Sequence, residues 1–206
     1  MYARSITIQG DVDRLEDGIA YVRDEVLPEM PERPGWVGLS MLVDRVTGRC
    51  IVTSSWRTAG DMRASDLHLA PLRHRGARLL GGMPLVEEWE VAVMHRAHRV
   101  EDGACCRVAW LRTDHARVDS GIAVYRASLM PEMESLPGFV NASLLVNRGL
   151  ARACSTATYD TWDAMEASRD RAWALREARA REVGVDVLDV AEMELVLAHL
   201  RVPELV

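Results

Sequence analysis

The sequence predicts an α+β fold: two ferredoxin-like βαββαβ repeats whose antiparallel sheets pack into a pseudo-dimeric α+β barrel. Three observations lead there. First, GIAYVRDEVLPEM (Gly18 to Met30) returns as GIAVYRASLMPEM (Gly121 to Met133), and PGWVGLSMLVDR (Pro34 to Arg45) returns as PGFVNASLLVNR (Pro137 to Arg148), both at a constant offset of 103 residues. Second, each half alternates strand and helix periodicity in the order β-α-β-β-α-β. Third, WVGLSMLV and FVNASLLV are apolar on both faces. A sheet with helices on one side then needs a second layer, and a sister repeat supplies it. The expected organisation is a first repeat over residues 1–96, a polar linker at 97–104 (AHRVEDGA), and a second repeat over 105–206.

In chain order, Arg4 to Gln9 alternates apolar and polar residues and reads as a strand. Gly10-Asp11 turns the chain, and Asp11 or Asp13 caps a helix whose apolar face is Leu15, Ile19, Val22, Val26 and Leu27. Prolines 28, 31 and 34 are expected to end it, since each lacks an N–H. Trp36 to Asp44 is a buried strand, Arg45 to Gly48 a hairpin turn, and Arg49 to Trp56 the returning strand. Thr58 or Asp61 opens a second helix, with a break expected near Leu69 or Ala70 because of Pro71. Gly81, Gly82 and Pro84 close it, and Val86 to His95 alternates as the last strand. The second repeat gives strands at Arg107 to Arg112, Phe139 to Asn147, Arg152 to Tyr159 and Val190 to His199. Its helices are a first from about Ala116 and an uninterrupted second from Asp160 toward Val183.

Composition narrows the function classes. The net charge of -6 argues against a nucleic-acid binder, whose affinity comes largely from neutralising phosphates. Every basic residue is arginine, which excludes Schiff-base, pyridoxal-phosphate and P-loop lysine chemistry. Cys50, Cys105, Cys106 and Cys154 form no CxxC pair and no zinc-type spacing with histidine, so no metal is expected and the thiols read as reduced, buried residues. No apolar run approaches the ~20 residues of a membrane span, and the polar start lacks a signal-peptide core. A cytoplasmic protein is the expectation. Fusion makes an intramolecular interface of an intermolecular one, so the expected state is a monomer with an internal pseudo-dimer, or a homo-oligomer of it.

The run PGWVGLSMLVDRVTGRCIVTSSWRTAGDM, with its counterpart in the second half, resembles the Pro-Gly strand, hairpin and tryptophan-bearing strand of the antibiotic biosynthesis monooxygenase-like family. The resemblance implies a dimeric α+β barrel, here as a fused tandem pair. It also implies the range of that family: cofactor-independent oxygenases of aromatic phenols, haem-degrading enzymes, and barrels without known activity. Trp56 matches the family tryptophan that lines a sheet–helix pocket, and Tyr159 takes its place in the second half. Trp36, Trp89 and Asn141 complete the expected substrate-binding set, and Trp56 and His68 are the catalytic candidates. The haem-degrading members carry an iron-binding histidine nine residues after that tryptophan. Here the positions hold Ser65 and Ser168, and His68, one turn on, offers a substitute.

Three readings follow. The first is a cofactor-independent monooxygenase acting on an aromatic small molecule, an oxidoreductase near Trp36, Trp56, His68 and Trp89. The second is a noncatalytic small-molecule-binding or scaffold protein on the same barrel. Haem binding through His68 comes third. No Ser-His-Asp order, HExxH, GxSxG or glycine-rich phosphate loop is present to support another chemistry. Arg45 and Arg148, which persist in both halves, are expected to pair with backbone or carboxylates.

Overall fold

The computed structural model describes residues 1–98 and 100–200. Eight antiparallel strands carry the fold: β1 (Tyr2–Gln9), β2 (Trp36–Val43), β3 (Arg49–Trp56), β4 (Pro84–Arg96), β5 (Cys105–Arg112), β6 (Phe139–Asn147), β7 (Arg152–Tyr159) and β8 (Asp186–Leu200). Their order, β1-β3-β2-β8-β5-β7-β6-β4, closes on itself. This is the α+β barrel that the repeat and the two-faced apolar strands predict.

The chain divides into two compact units. Among the described residues, the first holds Met1–Trp89 with Glu194 to Leu200 of β8. In it β1 runs antiparallel to β3, from Tyr2 opposite Trp56 to Gln9 opposite Arg49. β3 pairs in turn with β2, whose other edge takes Glu194 to Leu200 of β8. Its core lies between sheet and helices and includes Ile8, Leu15, Met30, Leu39, Met41, Trp56, Met62 and Leu80.

The second unit holds Glu90–Met193. There β7 is central, paired with β5 and β6, and β6 takes Glu90 to Arg96 of β4 on its other edge. Its core includes Val118, Tyr125, Met130, Phe139, Leu144, Tyr159 and Met165. The compact units thus do not coincide with the sequence repeats, because each long closing strand gives its second part to the other unit. Of the expected linker and second repeat, Arg99 and residues 201–206 lie outside the described residues.

The helices follow local chemistry, with two departures from expectation. Asp11 accepts the Asp13 N–H and starts a 3-10 turn that leads into α1 (Leu15–Tyr21). A π-helical turn over Val22–Val26 then precedes α2 (Leu27–Glu29). Pro28 therefore does not stop the helix. It sits in the last turn, and the ladder widens just before it: the Leu27 N–H reaches back to the Val22 carbonyl, where Pro28 has no N–H to offer.

The second helix breaks at Ser65, between α3 (Ala59–Ala64) and α4 (Asp66–Leu79), and Pro71 lies inside an unbroken α4. In the second unit α5 (Val118–Val124) and α6 (Met130–Glu134) repeat the π turn, before Pro131. The helix expected to be continuous from Asp160 is in fact α7 (Trp162–Ala167) and α8 (Arg169–Val183), broken at Ser168. The reason is the same in both units: a buried serine hydroxyl donates to the carbonyl three residues back, Met62 at 2.7 Å and Met165 at 2.8 Å. That local bond bends the helix. No helix among the described residues is long and apolar enough to cross a membrane.

Candidate functional site

In the second unit two adjoining cavities lie between the sheet and α8. The larger, about 650 Å³ including its mouth, is walled by Leu111, Val118, Ile122, Leu144, Val146, Ala180 and Val183. The smaller, about 480 Å³, is bounded by Arg107, Ala109, Ser155, Ala157, Tyr159 and Ala172. They share Leu111, Tyr125, Leu129 and Arg176, so they are two chambers of one site. Strand alternation builds the floor, because Arg107, Ala109 and Leu111 of β5 all point to the helical side.

The first unit has a corresponding cavity of about 590 Å³, lined by Ile6, Ile8, Gly18, Leu69, Arg73 and Leu80 among others. A local difference separates the two. A Cβ added to Gly18 would stand 2.4 Å from Leu80 Cδ2, so Leu80 occupies the space over that glycine. Its counterpart Gly121 would meet nothing within 4 Å, and Val183 replaces Leu80 with a shorter side chain.

The polar groups of the second-unit site are mostly arginine. Arg107, only 7% exposed, donates to Glu192 Oε1 (2.9 and 3.1 Å), to the Met165 carbonyl (2.8 Å) and to the Tyr159 hydroxyl (3.4 Å). Its guanidinium also lies 5.5 Å from the Tyr159 ring centroid. Glu192 takes a second guanidinium from Arg169, at 2.6 Å. Burial works to raise its pKa, but the bonds from Arg169 and Arg107 and their charges outweigh that, and it ends below the ordinary value. Tyr125, whose hydroxyl bonds Ser155 at 3.0 Å, has its pKa pushed upward by burial and stays a neutral phenol. Among the described residues, neither cavity is lined by Asp, Glu, His or Cys. The buried thiols are no nucleophiles either: burial pushes Cys50 and Cys105 up to about 11 and Cys106 up to about 12.

The residues singled out from sequence do not converge. Trp56 is fully buried, its Nε1 donating to Ser54 Oγ at 3.1 Å in the first unit's core, and it lines none of these cavities. Trp89 donates to Ser5 Oγ at 2.8 Å. Because Arg4 and Glu88, their immediate neighbours, meet on the helical side at 3.0 Å, alternation puts Trp89 on the opposite face of the sheet. Trp36 stacks on His199 at 5.4 Å and donates to the Gly38 carbonyl. Asn141 accepts from Thr158 at 2.9 Å, opposite it in register and on the sheet face away from Tyr159. Of the five, only Tyr159 borders a sheet–helix cavity. Arg45 and Arg148 do pair with carboxylates, Arg45 with Glu16 and Glu194 and Arg148 with Asp119 and Glu90.

The residues present do not fit haem. Ser65 and Ser168, at the family histidine's position, spend their hydroxyls on their own helices. His68 is exposed on α4 and lines none of the three cavities. Among the described residues no cluster of His, Cys, Asp and Glu is arranged to hold a metal ion. Sequence reading missed Gly121, Tyr125, Arg107 and Arg176. The usable signal was the repeat itself: residues that differ at matched positions, Leu80 against Val183 and Asp66 against Arg169.

No known family model matches the chain. It is 52% identical over 206 residues to the uncharacterized protein Rv2557 of Mycobacterium tuberculosis, across 100% of this chain and 92% of that protein. It is 50% identical over 207 residues to Rv2558 of the same organism, across 100% and 88%. Among solved structures, an anthrone oxidase-like protein matches with a TM-score of 0.66 at 16% identity, over 99% of this chain and 93% of that one. A ferredoxin-fold protein from Listeria monocytogenes related to antibiotic biosynthesis monooxygenases matches at 0.55 and 8%, over 95% and 94%. LmHde, a heme-degrading enzyme from the same species, matches at 0.55 and 6%, over 94% and 99%. Such low identities speak to fold alone. The chain belongs to the family of Rv2557 and Rv2558, built on the antibiotic biosynthesis monooxygenase-like α+β barrel.

Proposed function

We propose that this protein binds a small, mostly apolar organic molecule between the sheet and α8 of its second unit. The observation that carries the reading is the opening over Gly121: over the matched Gly18 the same spot is filled by Leu80, which narrows the first-unit cavity there without closing it. The mostly apolar lining of the second-unit cavity, with a few polar groups, is the kind of wall that holds a small organic ligand. The lining offers apolar contact and arginine but no group that takes a proton near neutrality, which favours binding over acid–base catalysis.

Cofactor-independent monooxygenation of an aromatic phenol is the second reading. It is supported by the two guanidinium groups, Arg107 and Arg176, that border Tyr159 in a desolvated chamber, and by the fold likeness to an anthrone oxidase-like protein. In that case the protein would desolvate and orient a phenolate for reaction with dioxygen.

The test is calorimetric titration of wild type and Gly121→Phe with a panel of polycyclic phenols. Wild type is expected to bind at least one saturably, and the variant, with unchanged circular dichroism, to bind it at least tenfold more weakly. No binding to wild type, or equal binding to both, contradicts the reading. Oxygen uptake with a bound phenol then decides for the second one.

A further inference from the structure

The matched halves differ in how one guanidinium is neutralised. In the first unit Asp66, at the start of α4, pairs with Arg73 at 2.9 Å and with Arg4 at 3.1 Å. Burial alone would raise the Asp66 pKa, but the bond from Arg73 and the charges around it bring it below the ordinary value. The second repeat has Arg169 at the position of Asp66, and Arg169 turns to Glu192. Arg176, at the position of Arg73, is left without that acid.

Among the described residues no carboxylate pairs with Arg176, and its Nε is buried without a hydrogen-bond partner. Arg73 also leaves its Nε unbonded, so the difference between the halves is the missing carboxylate. Glu177, the adjacent residue, is directed to Arg181 at 3.8 Å. Arg107, Arg112 and Arg179 at the same site have acids of their own: Glu192, Asp186, and Glu132 with Glu182. Burial, then the charge of Arg107, pull the Arg176 pKa below the ordinary guanidinium value. Arginine nonetheless keeps its proton. A half-buried cation with no ion-paired carboxylate, offset only by the nearby charge of Glu177, borders both chambers of a mostly apolar site. Leaving such a charge uncompensated is costly, and an anion in the cavity would remove the cost.

We propose that the site takes an organic oxyanion, its carboxylate or phenolate head paired with Arg176 and its apolar body against Gly121, Ile122 and Val183. This rests on the pocket reading above and adds the charge of the ligand. The first unit, with Asp66 already on Arg73, is not expected to share the preference.

The experiment is calorimetric titration with 2-naphthoate and its neutral counterpart 2-naphthamide, on wild type, Arg176→Met and Arg176→Lys. Wild type is expected to prefer naphthoate by about tenfold or more, the worth of a charge-assisted hydrogen bond. Arg176→Met is expected to lose the preference while still binding naphthamide, and Arg176→Lys to retain part of it. Equal affinity of wild type for the two probes, or a preference that survives in Arg176→Met, overturns the oxyanion proposal and leaves the pocket standing. If neither probe binds wild type, this proposal falls, and the phenol panel above decides whether the pocket reading falls with it. The wild-type comparison needs no variant to fold.

Discussion

Glu192 receives Arg107 from within the sheet and Arg169 from the start of α8, and Arg107 is 7% exposed. The first unit builds the matching pair from Arg4 and Glu88, with Arg4 4% exposed. Removing one partner of so buried a pair strands the other, so Glu192→Gln is expected to destabilise by about 3 kcal/mol at pH 7. The pH dependence has a definite sign. The folded carboxyl lies below the ordinary glutamate value of 4.5, so its contribution is fully present above pH 4.5 and is lost as pH falls through the folded pKa. Urea midpoints of wild type should drop below that pH, and Glu192→Gln should show a shallower drop. Parallel acid profiles for the two proteins would contradict this role.

The two first helices test packing rather than charge. Gly18 in α1 and Gly121 in α5 are the same residue of the repeat, yet Leu80, itself 1% exposed, blocks one and nothing blocks the other. Gly18→Ala is therefore expected to cost about 1–3 kcal/mol through overpacking. Gly121→Ala should be neutral, or stabilising by up to about 1 kcal/mol through helix propensity. Melting temperatures of the two variants measure this, and equal losses would show that the space over Gly121 is closed too. Elements like these explain what sequence could and could not reveal. Alternation and the turn residues gave the strands and the β2–β3 hairpin with its repeat, because those signals are local, while the β2–β8 and β4–β6 pairings between repeats are not. Breaks at Ser65 and Ser168 were hidden, since a serine hydroxyl bends a helix only when its backbone acceptor is at hand, whereas Pro71 looked like a break and is carried inside α4.

For the whole molecule, the duplication made the barrel legible, since two matched sets of two-faced apolar strands have few other ways to be covered. The site was less legible for a physical reason. Trp56 and Trp89 were chosen for their size, yet both are buried packing rings rather than cavity walls. The cavity depends instead on absences at matched positions: a shorter Val183 for Leu80, and no acid where Asp66 stood. Those differences acquire meaning only when the repeats are compared in three dimensions. The measurement that bears most directly on the account is a ¹H–¹⁵N correlation spectrum of the protein titrated with 2-naphthoate. Saturable shifts are expected at Gly121, Ile122, Ala180 and Val183, with Gly18, Leu72 and Leu80 unmoved. Shifts centred on the latter residues, or none at either set, would contradict a ligand site in the second unit.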